Sequence, residues 1–244
     1  MNILQLQNIQ VKFPNTNKCS LQKINFTVEK NDFVIVLGSN GSGKSTLLKL
    51  LYKQYRANIG DIHFLNQPIS SYSEKKFNQQ IAILTQDCNE SLFASLSVYE
   101  NFLLVKKFKA INTNHLSDRE FLKDYLYEFN CNLSNKLDMT INVLSGGEKQ
   151  ALALAFCLLR PPTLLLLDEH TSALDPKTSD QIMELTQQKV IEHQITCLLT
   201  THNLNIAMQY GNRILALRDG QIYKDIFPQQ KALITKDMLM NMYY

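Results

Sequence analysis

Gly38-Ser39-Asn40-Gly41-Ser42-Gly43-Lys44-Ser45-Thr46 is the stretch whose reading decides the fold. Before it runs Phe33-Val34-Ile35-Val36-Leu37, apolar throughout and short enough to be a strand buried on both faces. After it comes Leu47-Leu48-Lys49-Leu50-Leu51, built from good helix formers. Strand, glycine-rich turn and helix in that order give the pattern G-x-x-x-x-G-K-[ST] its mechanism. The glycines let the backbone curl closely around an anion, with the amides of Gly41 to Ser45 directed inward. The helix N-terminus adds partial positive charge. Lys44 is placed to reach the β- and γ-phosphates, and the Ser45 hydroxyl to meet Mg²⁺. The stretch therefore predicts a site for a nucleoside triphosphate. The competing reading is a glycine-rich turn with an incidental surface lysine.

Further along, Leu164-Leu165-Leu166-Leu167-Asp168-Glu169 predicts a buried strand that delivers two acids to the edge of the sheet where a neighbouring strand delivers the phosphate loop. The first acid suits Mg²⁺, through water. The second suits the orientation or deprotonation of a water that attacks the γ-phosphorus. Gln86 follows the Ile81–Leu84 strand, and its amide oxygen suits Mg²⁺ or that water, with a polar strand cap as the alternative. His202 follows the Ile195–Leu199 strand, where a neutral imidazole can donate to a γ-phosphate oxygen. Three neighbouring strands that each end in a polar residue form a pattern that one histidine does not. His63, His115 and His193 read as surface or packing residues, and His170 either tunes Glu169 or is structural.

Ser145-Gly146-Gly147 opens a helix within Leu144-Ser145-Gly146-Gly147-Glu148-Lys149-Gln150, a second anion site chemically similar to the first. One chain has little use for two such sites unless they face each other across a dimer. On these segments the chain resembles the ATP-binding subunit of an ABC transporter, over essentially its whole length. The resemblance rests on the Walker A loop Gly38–Thr46, Gln86 of the Q-loop and the signature Leu144–Gln150. It rests equally on the Walker B strand with Asp168 and Glu169, the D-loop Ser172-Ala173-Leu174-Asp175 and His202 of the switch. Phe13, at the end of the first strand, reads from spacing either as a base-stacking aromatic or as a core residue; the resemblance favours the first.

That resemblance implies a head-to-tail dimer closing on two ATP molecules, each held by the Walker A loop of one subunit and Ser145 to Gly147 of the other. It implies Mg²⁺ on Ser45, Asp168 and Gln86, and catalysis by Glu169 with His202, Gln86 and Lys44. Transmembrane permease subunits are the implied partners, with contacts expected between Gln86 and Phe108 at Leu92, Phe93, Leu96 and Tyr99. A separate substrate-binding protein is expected, and no nucleic acid. The implied location is cytoplasmic, on the inner face of the membrane. Asp168 to Thr178, with Thr201-His202-Asn203 and Gly211-Asn212-Arg213, also resembles one group of bacterial import ATPases linked to tryptophan/tyrosine uptake. There His170 replaces the proline or alanine more usual in ABC proteins.

The bulk properties agree with an ATPase subunit. At 244 residues and 45% hydrophobic content, the chain suits one large α/β domain or a core with a subdomain. A net charge of +3 is too mild to argue for nucleic acid. Ala151 to Leu167, the longest apolar region, is broken by Arg160-Pro161-Pro162, and Met1–Leu6 lacks the features of a signal peptide. Five scattered cysteines in no metal-ligand spacing read as reduced thiols. Two competing functions fit less well. A soluble ABC protein acting on nucleic acid or ribosomes usually carries two cassettes or a long coiled coil, and no heptads separate Lys44 from Ser145. A P-loop kinase leaves Ser145–Gly147 and His202 unexplained.

The expected fold is α/β: a P-loop NTPase core with a mainly parallel sheet, an N-terminal antiparallel β-subdomain and an inserted helical subdomain. Core and β-subdomain are expected over 1–86 and 161–244, and the helical part over 87–160. Ile3 to Phe13 and Leu21 to Val28 alternate like half-buried antiparallel strands, joined by a turn over 14–18. Asp61 to Leu65 reads as a strand followed by a polar loop. Helices are expected over Leu96–Lys109, Asp118–Asn130, Gly147–Leu159 and Thr178–His193. A closing hairpin turns at Asp219-Gly220, and a short helix spans Lys236–Met242.

Overall fold

The structure, a computed structural model, describes residues 1–14, 19–111 and 117–243. Residues 15–18 of the expected first turn, and His115, lie outside the described residues. The chain groups into two compact units: residues 1–83, 163–169 and 190–244 form the first, and residues 84–162 and 170–189 the second.

The first unit holds β1 (Asn2–Val11), β2 (Leu21–Glu29), β3 (Phe33–Leu37), α1 (Lys44–Leu51), β4 (Ile59–Phe64), β5 (Gln67–Pro68), α2 (Glu74–Gln80) and nearly all of β6 (Ile81–Leu84). The second unit includes the α-helices α3 (Val98–Lys109), α4 (Asp118–Tyr127) and α5 (Gly146–Leu158), with short 3-10 turns at Cys88–Glu90, Leu133–Asn135 and Ile141–Val143. The chain returns to the first unit with β7 (Leu164–Asp168). Helix α6 (Pro176–Glu192) lies mostly in the second. The first unit is completed by β8 (Thr196–Thr201), α7 (Leu204–Gln209), β9 (Arg213–Arg218), β10 (Gln221–Ile226), α8 (Pro228–Lys231) and α9 (Lys236–Tyr243).

Two sheets result. One is antiparallel in the order β2-β1-β4-β5, as the alternation near the N-terminus predicts. Alternation in β1 is interrupted where Asn8 adopts φ 50° and the β1–β2 register shifts between Leu6 and Ile9. The other sheet has the order β10-β9-β3-β8-β7-β6, with β3, β7, β8 and β9 parallel and β10 closing it as a hairpin. Every residue of β3, β7 and β8 is buried, which is why β3 and the first four residues of β7 read as continuous apolar runs and why β8 does not alternate. Each large aliphatic side chain so buried contributes about 1.5–3 kcal/mol relative to exposure. Helix α1 packs on β7 and β8, and α7 on β3 and β8.

The strand order corrects one expectation. The acid-bearing strand β7 is not the neighbour of β3; β8 lies between them, pairing Leu37 with Thr201 on one side and Asp168 with Thr200 on the other. The polar loop expected after β4 contains β5 and the helix α2. Phe77 is the sole buried residue of α2, so no apolar period marks it in sequence. Helices α7 and α8 were likewise too short to announce themselves.

In the second unit, α3 and α4 start later or end earlier than periodicity suggests. Ser97 closes a capping box with Glu100, so α3 begins at Val98 rather than Leu96. Helix α4 ends at Tyr127, and Phe129 and Asn130 follow in a turn whose amides bond back to Leu126. Capping boxes also open α4 (Ser117, Glu120) and α5 (Ser145, Glu148). An aromatic ladder of Tyr99, Phe102, Phe121, Tyr125 and Phe129, with ring centroids 5.0–6.4 Å apart, joins α3 to α4 and its following turn.

Candidate functional site

Parallel strands present their carboxyl ends along one edge of the sheet, the usual place for ligands in open α/β folds. Here β3 ends at Leu37, just before Gly38, β7 at Asp168 and β8 at Thr201. The loop turns into α1 through Gly43, whose φ of 103° disfavours any residue with a side chain. Helix α1 has no side-chain cap, which leaves its first amides free for an anion. Ser42 Oγ is buried without a partner inside the loop, beside Gly38. Ser39, Asn40 and Gly41 are exposed at its tip. The Thr46 hydroxyl is 2.9 Å from that of Ser20.

Lys44 is almost fully buried. Its Nζ donates to the carbonyls of Gly38 (2.9 Å) and Ser39 (3.1 Å) and lies 3.1 Å from Glu169 Oε1. The other carboxylate oxygen of Glu169 is 2.9 Å from His202 Nδ1. The Ser45 hydroxyl donates to Asp168 Oδ1 at 3.0 Å. Lys44, Ser45, Asp168, Glu169 and His202, expected on chemical grounds to work together, thus converge within the first unit. A hydroxyl and a carboxylate in contact are hard oxygen donors of the kind Mg²⁺ takes from protein when phosphates and water complete its shell. Among the described residues no cluster of three or more His, Cys, Asp or Glu could hold a metal ion.

Glu169 adopts φ 45°, a left-handed conformation uncommon for a residue with a side chain. Its amide is held by Thr200, through the carbonyl (3.2 Å) and the hydroxyl (3.1 Å). Strain of this kind persists where surrounding structure over-determines it. Thr200 had no sequence signal of its own, because its place opposite Asp168 depends on the β7–β8 register.

Phe13 is half-buried and meets Tyr55 edge-on, with centroids 5.0 Å apart, so it already has a packing partner. In the second unit, Gln86 is exposed just past β6. The Ser145 side chain caps α5, accepting from Glu148 N–H, while Glu148 carboxylate accepts from Ser145 N–H and pairs with Lys136. Burial works against the Glu148 carboxylate, yet Lys136 and Ser145 hold it below its ordinary range. Gly147 faces α6: a Cβ there would lie 2.5 Å from Thr178 Cγ2. His170 is buried, and its Nε2 meets Thr186 Oγ1 at 3.2 Å. The Thr186 proton goes to Ile182 O (2.7 Å), so Nε2 is the donor and the buried Nδ1 has no partner. Of the four expected permease contacts, Leu92 belongs to the core, Leu96 and Tyr99 are half-buried and Phe93 is exposed. Phe108 on α3 is also exposed.

None of the five cysteines is in a disulfide, and no described helix is long and apolar enough to cross a membrane.

With this geometry in view, the chain belongs to the ABC transporter family, whose pattern matches residues 21–172. It is similar to a tyrosine transport ATP-binding protein of Clostridioides difficile (strain R20291), 35% identical over 98% of this chain and 97% of that one. It is also similar to the methionine import ATP-binding protein MetN 1 of Enterococcus faecalis (strain ATCC 700802 / V583), 30% identical over 97% of this chain and 68% of that one. Among solved structures, cbiO1 of Clostridium perfringens, part of the ABC transporter complex cbiONQ, superposes with a TM-score of 0.80 at 29% identity, covering 98% of this chain and 93% of that one. The ATP-binding cassette MJ0796, in a dimeric post-hydrolysis state with ADP and Pi, gives 0.76 at 27% identity, covering 92% of this chain and 98% of that one. The chain is an ATP-binding, ATP-hydrolysing subunit of transporters.

Proposed function

We propose that this chain powers an importer of amino acids, acting as a homodimer beneath transmembrane permease subunits, on the cytoplasmic face, and supplied by a separate binding protein. The convergence of Lys44, Ser45, Asp168, Glu169 and His202 carries the ATPase part of this reading. Similarity to the tyrosine and methionine proteins supports the cargo class.

In the closed dimer, the loop Gly38–Thr46 cradles the phosphates and Lys44 neutralises the β- and γ-oxygens. Phe13 stacks on the base. Ser145, Gly146 and Gly147 of the partner subunit cap the same triphosphate. Residues 87–160 act as the helical subdomain that carries this capping turn. Ser45, Asp168 and Gln86 would hold Mg²⁺, which would supply positive charge to offset that of the phosphate oxygens. Glu169 takes the proton of the attacking water, and His202, bonded to Glu169, steadies the γ-phosphate. Closure follows because ATP contacts both subunits only in the closed state, so it binds that state more tightly.

The test is uptake. Cells lacking this protein should lose ATP-dependent accumulation of labelled tyrosine or tryptophan, regained with the intact gene but not with Glu169→Gln. Unchanged amino-acid uptake alongside lost uptake of another solute would overturn the cargo class and leave the ATPase reading standing.

A further inference from the structure

Thr200 lies at the centre of the acid pair and has no assigned part. It is fully buried in β8, in register with Asp168 of β7. Its hydroxyl has one proton and two oxygen neighbours: Asp168 Oδ1 at 2.7 Å and Leu167 O at 3.4 Å. The short contact with an ionised acceptor takes the proton. The same oxygen accepts the Glu169 amide at 3.1 Å. One hydroxyl thus bonds the side chain of one acid and the backbone of the next.

The consequence for Asp168 is directional. Ser45 and Thr200 both donate to Oδ1, at 3.0 and 2.7 Å, and among the described residues no hydrogen bond engages Oδ2. Two donors on one oxygen fix the carboxylate plane and leave its second oxygen available to a cation or its water. Two other buried threonines of β8 serve backbone only: Thr196 Oγ1 accepts from Asn31 N–H and Thr201 Oγ1 from Asn203 N–H. Thr200 is distinguished from them by its acidic partner.

We propose that Thr200 is a positioning residue for metal–nucleotide binding: its hydroxyl sets the orientation of Asp168 toward the ion while anchoring the left-handed turn at Glu169. The inference rests on the assignment of Mg²⁺ to Ser45 and Asp168.

The experiment measures AMP-PNP affinity by calorimetric titration, with Mg²⁺ and with EDTA, for the intact chain and four variants. Thr200→Val keeps the shape and removes the donor. It should cut the Mg²⁺-dependent gain in affinity about tenfold, the loss typical when a group that orients a metal ligand is removed, and leave affinity in EDTA unchanged. Thr200→Ser should restore the gain. In an Asp168→Asn background, Thr200→Val should have no further effect, because the hydroxyl acts through that carboxylate. Thr200→Cys, whose S–H is a weak donor, replaces the valine variant if that one does not fold. A Mg²⁺-dependent gain equal to that of the unaltered chain in Thr200→Val or Thr200→Cys overturns the proposal, as does an equal loss in EDTA. If Asp168→Asn alone leaves the gain intact, the metal assignment falls, and the role of Thr200 with it.

Discussion

Lys44 and Glu169 form an ion pair inside the phosphate-loop unit, Nζ to Oε1 at 3.1 Å, with the two side chains only 5% and 14% exposed. The lysine that should grip a phosphate thus has an anionic partner within the chain, supplied by the residue that should act as base. An incoming β-phosphate competes with that carboxylate for Lys44. Glu169→Gln should therefore have two separable effects. Turnover should fall at least about a hundredfold through loss of the general base. Affinity for ADP should rise about fivefold, since roughly 1 kcal/mol of competing attraction is removed. ADP is the informative ligand, because without a γ-phosphate it does not lock the dimer. Titration calorimetry showing unchanged or weaker ADP binding would count against competition between Glu169 and phosphate.

How much of this site could be read beforehand follows from the range of each interaction. Gly38 to Thr46 and Leu164 to Glu169 are local patterns, in which strand, turn and helix follow one another along the chain, so both were legible. The pairing of Thr200 with Asp168 was not, since it depends on the parallel register of β7 and β8, which the order of residues along either strand does not mark. For the same reason the insertion of β8 between β3 and β7 escaped notice. Gly147 reads in sequence as part of an anion-binding turn, yet its contact with Thr178 gives glycine a packing reason as well, one that only the fold reveals.

That contact can be tested by itself. Gly147→Ala would bring a methyl to 2.5 Å from Thr178 Cγ2, and Thr178 cannot readily turn aside because its hydroxyl bonds Asp175. Overpacking of this kind costs about 1–3 kcal/mol, or a melting point lower by about 2–12 °C for a chain of this size. Thr178→Ser keeps the hydroxyl and removes the offending methyl. Combined with Gly147→Ala, it should recover most of the loss in a thermal melt. A double variant no more stable than Gly147→Ala would place the cause elsewhere.

Lys231 in α8 donates to the carbonyls of Tyr210 and Gly211, and burial pushes its ammonium down to about 8. The unfolded chain keeps the ordinary lysine value, near 10.4. Between these values the unfolded state binds more protons, so the contribution of Lys231 to stability should rise with pH from about 8 to about 10. Below that window the group is protonated in both states and contributes no slope. Chemical denaturation at several pH values should show this rise in the intact chain, relative to Lys231→Met. Parallel curves for the two would exclude Lys231 as its source.

Arg213 is a buried charge of the first unit bonded to three other residues. It is 2% exposed. It donates through Nε to Asp225 Oδ1 (2.8 Å), through Nη2 to Asp225 Oδ2 (2.5 Å), and through Nη1 to Thr27 O (2.8 Å) and Asp32 Oδ2 (3.2 Å). The Phe227 ring lies 4.4 Å from its guanidinium carbon. This set ties β9 to β10 and to the end of β2, and a lysine cannot reproduce its fork. Arg213→Met leaves the carboxylates of Asp32 and Asp225 without their shared cation, which should cost about 3–5 kcal/mol. Arg213→Lys should recover only part of that, keeping the charge but losing the bidentate bond to Asp225. The triple variant Arg213→Met, Asp225→Leu, Asp32→Asn removes the uncompensated charges as well and should be more stable than Arg213→Met alone. Urea denaturation decides the matter: if Arg213→Met matches the intact chain, the network is ornamental, and if the triple variant is the weakest, desolvated charge is not what the arginine offsets.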